Sequence, residues 1–97
     1  MSNETVSKQN TIVGGWTAYG PLTTSDRIVF DEATKKGQIL GVDYTPEEVS
    51  TQVVAGMNYR FLCTAKPVGP MPIEWKAIVE IYKSLEGNAH VTGIQRL

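Results

Sequence analysis

The sequence predicts an α+β domain in which one N-terminal helix packs across a curled antiparallel sheet of four to five strands. Two observations predict it. Apolar residues recur with a period near 3.6 over residues 23–36 and with a period of 2 from residue 49 onward. Each period-2 run then ends in turn chemistry, so the strands follow one another as a meander with one apolar face for the helix to cover. At 97 residues and 41% hydrophobic content the chain supports one core and is too short for a deep, enclosed active site.

Residues 1–11 lack periodicity and large apolar groups and read as a mobile tail, leaving residues 12–97 as a single domain. Thr23 and Asp26 have the spacing of a capping box, and Leu22, Val29, Phe30 and Ala33 share one face of the helix that follows. Gly37 lies just past its end, and Asp31 with Lys35 and Glu32 with Lys36 form i,i+4 pairs. Residues 37–46, G-Q-I-L-G-V-D-Y-T-P, read as a connector. The inward sets are then Val49, Thr51 and Val53; Tyr59, Phe61, Cys63 and Ala65; and Ile73, Trp75, Ala77, Val79 and Ile81. A last strand runs from Val91 to Leu97. Ala55-Gly56-Met57, the stretch Pro67 to Pro72, and Glu86 to His90 make the connections. Phe61, Trp75 and Tyr59 are assigned to the core, whereas Ile78 and Tyr82 fall on the opposite face, as a small patch for self-association or as scattered surface residues.

Composition excludes several functions. Nine basic against ten acidic side chains, with no basic run, argue against a nucleic-acid partner, and no apolar segment approaches membrane-spanning length. The single Cys63 forms no internal disulfide, sits in an apolar strand as an inert thiol and suits a reducing compartment. The chain accordingly reads as cytoplasmic, or as secreted if a leader peptide has been removed. His90 is the only histidine and lies at a hairpin, away from Cys63, so no catalytic pair is indicated. Asp31/Glu32 and Glu47/Glu48 look like solvated charges. With no phosphate loop, dinucleotide fingerprint or metal-ligand cluster, the expectation is a protein that is not an enzyme and takes no cofactor and no metal.

One stretch stands out: Gln52-Val53-Val54-Ala55-Gly56 resembles the Q-x-V-x-G signature of the cystatins, inhibitors of papain-like cysteine proteases. Its context, T-Q-V-V-A-G-M-N-Y before an apolar strand, is most similar to the stefins, the disulfide-free branch. Ile12-Val13-Gly14-Gly15 resembles the cystatin segment that ends in glycine beside the first hairpin. Lys83-Ser84-Leu85-Glu86-Gly87 followed by Thr92-Gly93-Ile94-Gln95 resembles the C-terminal hairpin of stefins. The likeness spans residues 12–97, with all segments in the family's order.

What the resemblance implies is a cystatin-like fold and a reversible, competitive inhibitor that wedges three segments into a protease cleft. Ile12 and Val13 would fill substrate-side pockets, and Gly14 and Gly15 would pass the catalytic cysteine. Gln52, Val53, Val54, Ala55 and Gly56 would form a slim tip braced at its base by Gln52 and Asn58, and Leu85, Glu86, Gly87, Asn88 and His90 would touch the leaving-group side. The implied partner is a papain-like cysteine protease bound by a monomer, with hairpin exchange through the Val53 to Gly56 turn as a route to dimers. Bulky replacements of Gly14 or Gly56 are expected to abolish inhibition and leave the fold largely intact. Three departures matter: the second hairpin lacks the Pro-Trp pair of extracellular cystatins, the helix is shorter than in animal stefins with Gly37 and Gly41 bracketing an apolar connector, and Trp16 either anchors the tail to the domain or obstructs the cleft. The alternative function is a non-inhibitory cystatin-like interaction or scaffold domain. Use of the helix–sheet interior for a small molecule is disfavoured because its inward residues are apolar.

Overall fold

The computed structural model describes residues 15–97. One helix, α1 (Thr24–Thr34), precedes five strands: β1 (Gln38–Ile39), β2 (Val42–Val54), β3 (Gly56–Pro67), β4 (Trp75–Lys83) and β5 (Ala89–Arg96). All five strands join one antiparallel sheet in the order β1-β2-β3-β4-β5. The α+β class and the meander are those that the periodicity predicts. The predicted tail, residues 1–11, lies outside the described residues, as do Ile12, Val13 and Gly14.

α1 begins where its capping chemistry dictates. The Thr23 hydroxyl accepts from the Asp26 N–H at 3.1 Å, and the Asp26 carboxylate accepts from the Thr23 N–H at 3.0 Å. These bonds satisfy backbone donors that a first turn otherwise leaves free. Val29 and Phe30 are buried, with Leu22 and Ala33 packed beside them. At its other end the helix stops at Thr34, short of the predicted residue 36, because Lys35, Lys36 and Gly37 take φ of 53°, 64° and 92° in succession. The cause is tertiary. Gly37 lies against β2, where its carbonyl accepts from the Tyr44 N–H at 2.7 Å and a Cβ would sit 2.6 Å from the Tyr44 carbonyl oxygen. Thr34 tightens this turn, donating to the Phe30 carbonyl at 2.6 Å and accepting from the Gly37 N–H at 2.8 Å. With Lys35 and Lys36 off the helix, the predicted pairs with Asp31 and Glu32 lose their shared helical face.

Residues 37–46 are not a plain connector. Gln38–Ile39 pairs with Val42 and Asp43 in a tight hairpin, and β2 begins at Val42 rather than near Val49. Pro46 lies inside β2 next to a slip of register with β3 between Pro46 and Glu48, the kind of bulge at which a strand accommodates a proline. Beside it, the Glu47 carboxylate accepts from Lys76 Nζ at 2.7 Å and from the Thr64 hydroxyl at 2.8 Å.

The core fills the space between α1 and one face of the sheet. Phe61 is fully buried at its centre, with the Phe30 ring edge-on at 5.0 Å and the Tyr59 ring stacked at 5.6 Å. Two predicted core residues lie elsewhere. Ile73 precedes β4 and is 47% exposed, while Trp75 is half-buried at the start of β4 with the Arg96 guanidinium 4.5 Å above its ring. The proline-rich β3–β4 loop supplies the reason: pairing resumes only at Trp75, opposite Ala65, so Ile73 has no strand neighbour to pack on. Ile78 and Tyr82 are half-buried on the face of β4 turned away from the helix.

Length positions the site. Eleven helical residues span about 16 Å, whereas the thirteen of β2 span about 40 Å. α1 therefore covers less than half of the β2–β3 hairpin, and Val54 and Ala55 at its tip are exposed.

Candidate functional site

The β2–β3 hairpin closes with Val54 opposite Gly56 and only Ala55 between them. So short a turn requires a positive φ, and Gly56 supplies it at 108°. Gly56 is also buried: a Cβ there would run into the Lys83 carbonyl oxygen and lie 2.8 Å from the Tyr82 hydroxyl. The expectation that a bulky residue at Gly56 spares the fold is thereby corrected, since β4 backbone fills the space. Below the tip, Asn58 Nδ2 donates to Gln52 Oε1 at 2.8 Å, the bond expected across the hairpin base. Above it, the Tyr82 hydroxyl donates to the Ala55 carbonyl. The tip is thus held from two sides while Val54 and Ala55 face solvent.

A second tip stands beside the first. The β4–β5 turn is closed by the Gly87 N–H to the Ser84 carbonyl at 2.9 Å and by the Ser84 N–H to the Asn88 carbonyl at 2.8 Å, with Gly87 at φ 97°. Leu85 projects from it, 77% exposed. Met57 pairs with Lys83, which in turn pairs with Ala89, so register alone puts both turns at one end of the sheet. The sequence reading that put His90 in the turn is corrected. His90 lies in β5 opposite Tyr82, the two rings edge to face at 5.9 Å.

The chain before α1 reaches the same end. Gly20 bridges Val49 and Trp16 bridges Gln52, so residues 16–20 run antiparallel along the free edge of β2 and Gly15 stands toward the hairpin tip. Trp16 packs on the domain: the Arg60 guanidinium lies 3.9 Å from its ring centroid. Of the two roles open to it from sequence, this is the anchoring one. The structure therefore brings together Gly15, the Gln52 to Gly56 tip and the Leu85 to Asn88 turn. It sets His90 back along β5, and Ile12, Val13 and Gly14 fall outside the described residues.

Electrostatics separates this end from the core. Burial pushes the Cys63 thiol up to about 12, and the side chain is fully enclosed. Burial also raises the Tyr59 hydroxyl, with Asp26 adding to the effect. Hydrogen bonding from Lys76, then from Thr64, lowers the Glu47 carboxyl, well away from both tips. Among the described residues no three His, Cys, Asp or Glu side chains converge as a metal site would need, and no helix is long and apolar enough to cross a membrane. What the tip end offers chemically is a narrow edge with its backbone held in place, apolar at Val54 and Ala55 and polar on the neighbouring turn except for Leu85. Sequence reasoning missed Tyr82 and Arg60, whose roles follow only from strand register.

No protein-family model matches the chain, and no curated protein or solved structure matches it.

Proposed function

We propose that the protein is a stefin-like member of the cystatin class: a reversible, competitive inhibitor of papain-like cysteine proteases, without catalytic activity or cofactor of its own. The observation that carries this reading is the convergence of Gly15, the Val54-Ala55 tip and the Leu85 turn at one end of the sheet. A substrate cleft admits a thin edge, and neither Val54 nor Ala55 carries a long side chain to jam it. The Tyr82 and Asn58 hydrogen bonds hold that edge in one shape, which lowers the ordering cost of binding. Leu85 adds an exposed apolar contact on the neighbouring turn, and binding energy concentrates on these few residues. Inhibition then works by occupation, the glycine segment filling the cleft without presenting an aligned scissile carbonyl.

One observation favours a second reading, a non-inhibitory interaction or scaffold domain with the same hairpin. Gly56 is demanded by the fold itself, through Lys83 and Tyr82, so the glycine of Q-V-V-A-G has a structural reason to be there.

Titration of papain with the purified protein against a fluorogenic substrate separates the two, with Ala55→Trp as the comparison. Ala55 is exposed and its contact to Tyr82 runs through the backbone carbonyl, so the variant keeps the fold and widens the tip. Tight inhibition by the wild type that the variant loses supports the inhibitor. A folded wild type that leaves papain fully active rejects it in favour of the scaffold.

A further inference from the structure

We propose that Trp16 is the positioning residue that sets where the N-terminal segment meets the hairpin, held by a row of side chains on the sheet face away from the helix. As a determinant of residence time on a protease, this role rests on the inhibitor reading above; as a clamp on the segment, it does not.

Among the described residues, the segment meets the edge of β2 between Gly20 and Trp16. Its Trp16–Gln52 bridge is isolated from the named strands, and the firm backbone fastening belongs to the next residue. The Thr17 N–H donates to the Thr51 carbonyl at 2.9 Å, the Thr51 N–H to the Thr17 hydroxyl at 2.9 Å, and the Ser50 hydroxyl to the Thr17 carbonyl at 2.5 Å. Pairing along a strand edge opens locally unless side chains hold it. The Trp16 ring supplies that hold, with the Arg60 guanidinium at 3.9 Å in cation–π geometry.

Arg60 is itself oriented. Its Nε lies 3.4 Å from Glu80 Oε2, and Ser50, Arg60, Glu80 and Gly93 are successive cross-strand partners from β2 to β5. Gly93 leaves room for Glu80 at the end of the row: a Cβ on it would lie 3.2 Å from Glu80 Oε1. Trp16 is half-buried and lies outside the core cluster, and a depression of about 290 Å³ opens between it, Asn58, Arg60, Glu80 and Thr92. The ring is thus kept in place by its cation contact rather than by enclosure. It orients the segment and adds little to the core.

The test compares wild type with Trp16→Ala, Trp16→Phe and Arg60→Gln by amide hydrogen exchange at Thr17 and by rates of association with and dissociation from papain. Expected for Trp16→Ala are exchange at Thr17 and dissociation each about threefold to tenfold faster, with association changed by less than about twofold. Trp16→Phe restores most of both, since a phenyl face still accepts the cation, and Arg60→Gln reproduces the loss with the tryptophan present. Unchanged exchange at Thr17 in Trp16→Ala and Arg60→Gln overturns the clamp. Faster exchange with unchanged dissociation overturns its role in residence time. A wild type that does not bind papain rejects the inhibitor reading instead, and the exchange data then decide the clamp alone.

Discussion

The Tyr82 hydroxyl on β4 donates a hydrogen bond to the carbonyl of Ala55, the one residue that turns the β2–β3 hairpin. It is a cross-brace from a neighbouring strand onto the exposed tip. Tyr82→Phe removes it while keeping the ring on His90, so global stability falls by about 1 kcal/mol or less. The local effect is larger: tip amides exchange faster, and the freed turn opens into exchanged dimers more readily. Urea unfolding, amide exchange and size-exclusion chromatography of the variant check this. Wild-type exchange at the tip would show that the brace is idle.

Gly56 and Gly87 both have positive φ, at 108° and 97°, yet only Gly56 is crowded. Gly87→Ala pays the conformational penalty alone, about 1 kcal/mol, because nothing lies within 4 Å of the new Cβ. Gly56→Ala meets the same penalty and also displaces the Lys83 carbonyl and the Tyr82 ring, for a loss of about 2 to 4 kcal/mol. Chemical denaturation of the two variants side by side measures the difference. Equal losses would mean that β4 yields to the added methyl.

Phe61 is the most consequential core position, fully buried between Phe30 and Tyr59. Phe61→Ala should cost about 3 to 5 kcal/mol, comparable to the whole stability of many small domains. The expected outcome is a chain that has largely lost its cooperative thermal transition. Circular dichroism on heating is the direct check, and a transition within a few degrees of wild type would contradict the placement of the core.

Cys63 reports on opening of the same core. Its folded-state thiol titrates near 12, above the ordinary value of about 8.5, so the stability linked to it is full below the unfolded value. That contribution is lost progressively as pH rises from about 8.5 toward the folded value. At neutral pH the thiol should resist alkylation until the protein unfolds, its labelling rate tracking urea concentration through the unfolding transition. Rapid labelling of the native protein would place Cys63 at the surface. Cys63→Ser should flatten the alkaline limb of the stability curve.

Local patterns carried much of this architecture. The start of α1 was legible because a capping box closes within three residues, and Tyr59, Phe61, Cys63 and Ala65 were legible because a strand between helix and solvent must alternate. The Q-V-V-A-G turn and the Gln52–Asn58 bond across its base were legible for the same reason. What only the tertiary structure decided involves partners distant along the chain. α1 ends early because Gly37 must fit against Tyr44, and β2 reaches back to Val42 because residues 42–46 pair with β3 from Pro67 to Cys63, with β1 folding over to pair at Val42 and Asp43. Trp75 lies half-buried under Arg96 at the start of β4, where pairing with β3 resumes, while Trp16 is anchored because register brings Arg60 beneath it. The candidate site divides in the same way. Its individual turns are encoded by residues a few positions apart, but their meeting at one end depends on which backbone each strand pairs with, and that pairing is settled only when the whole sheet forms.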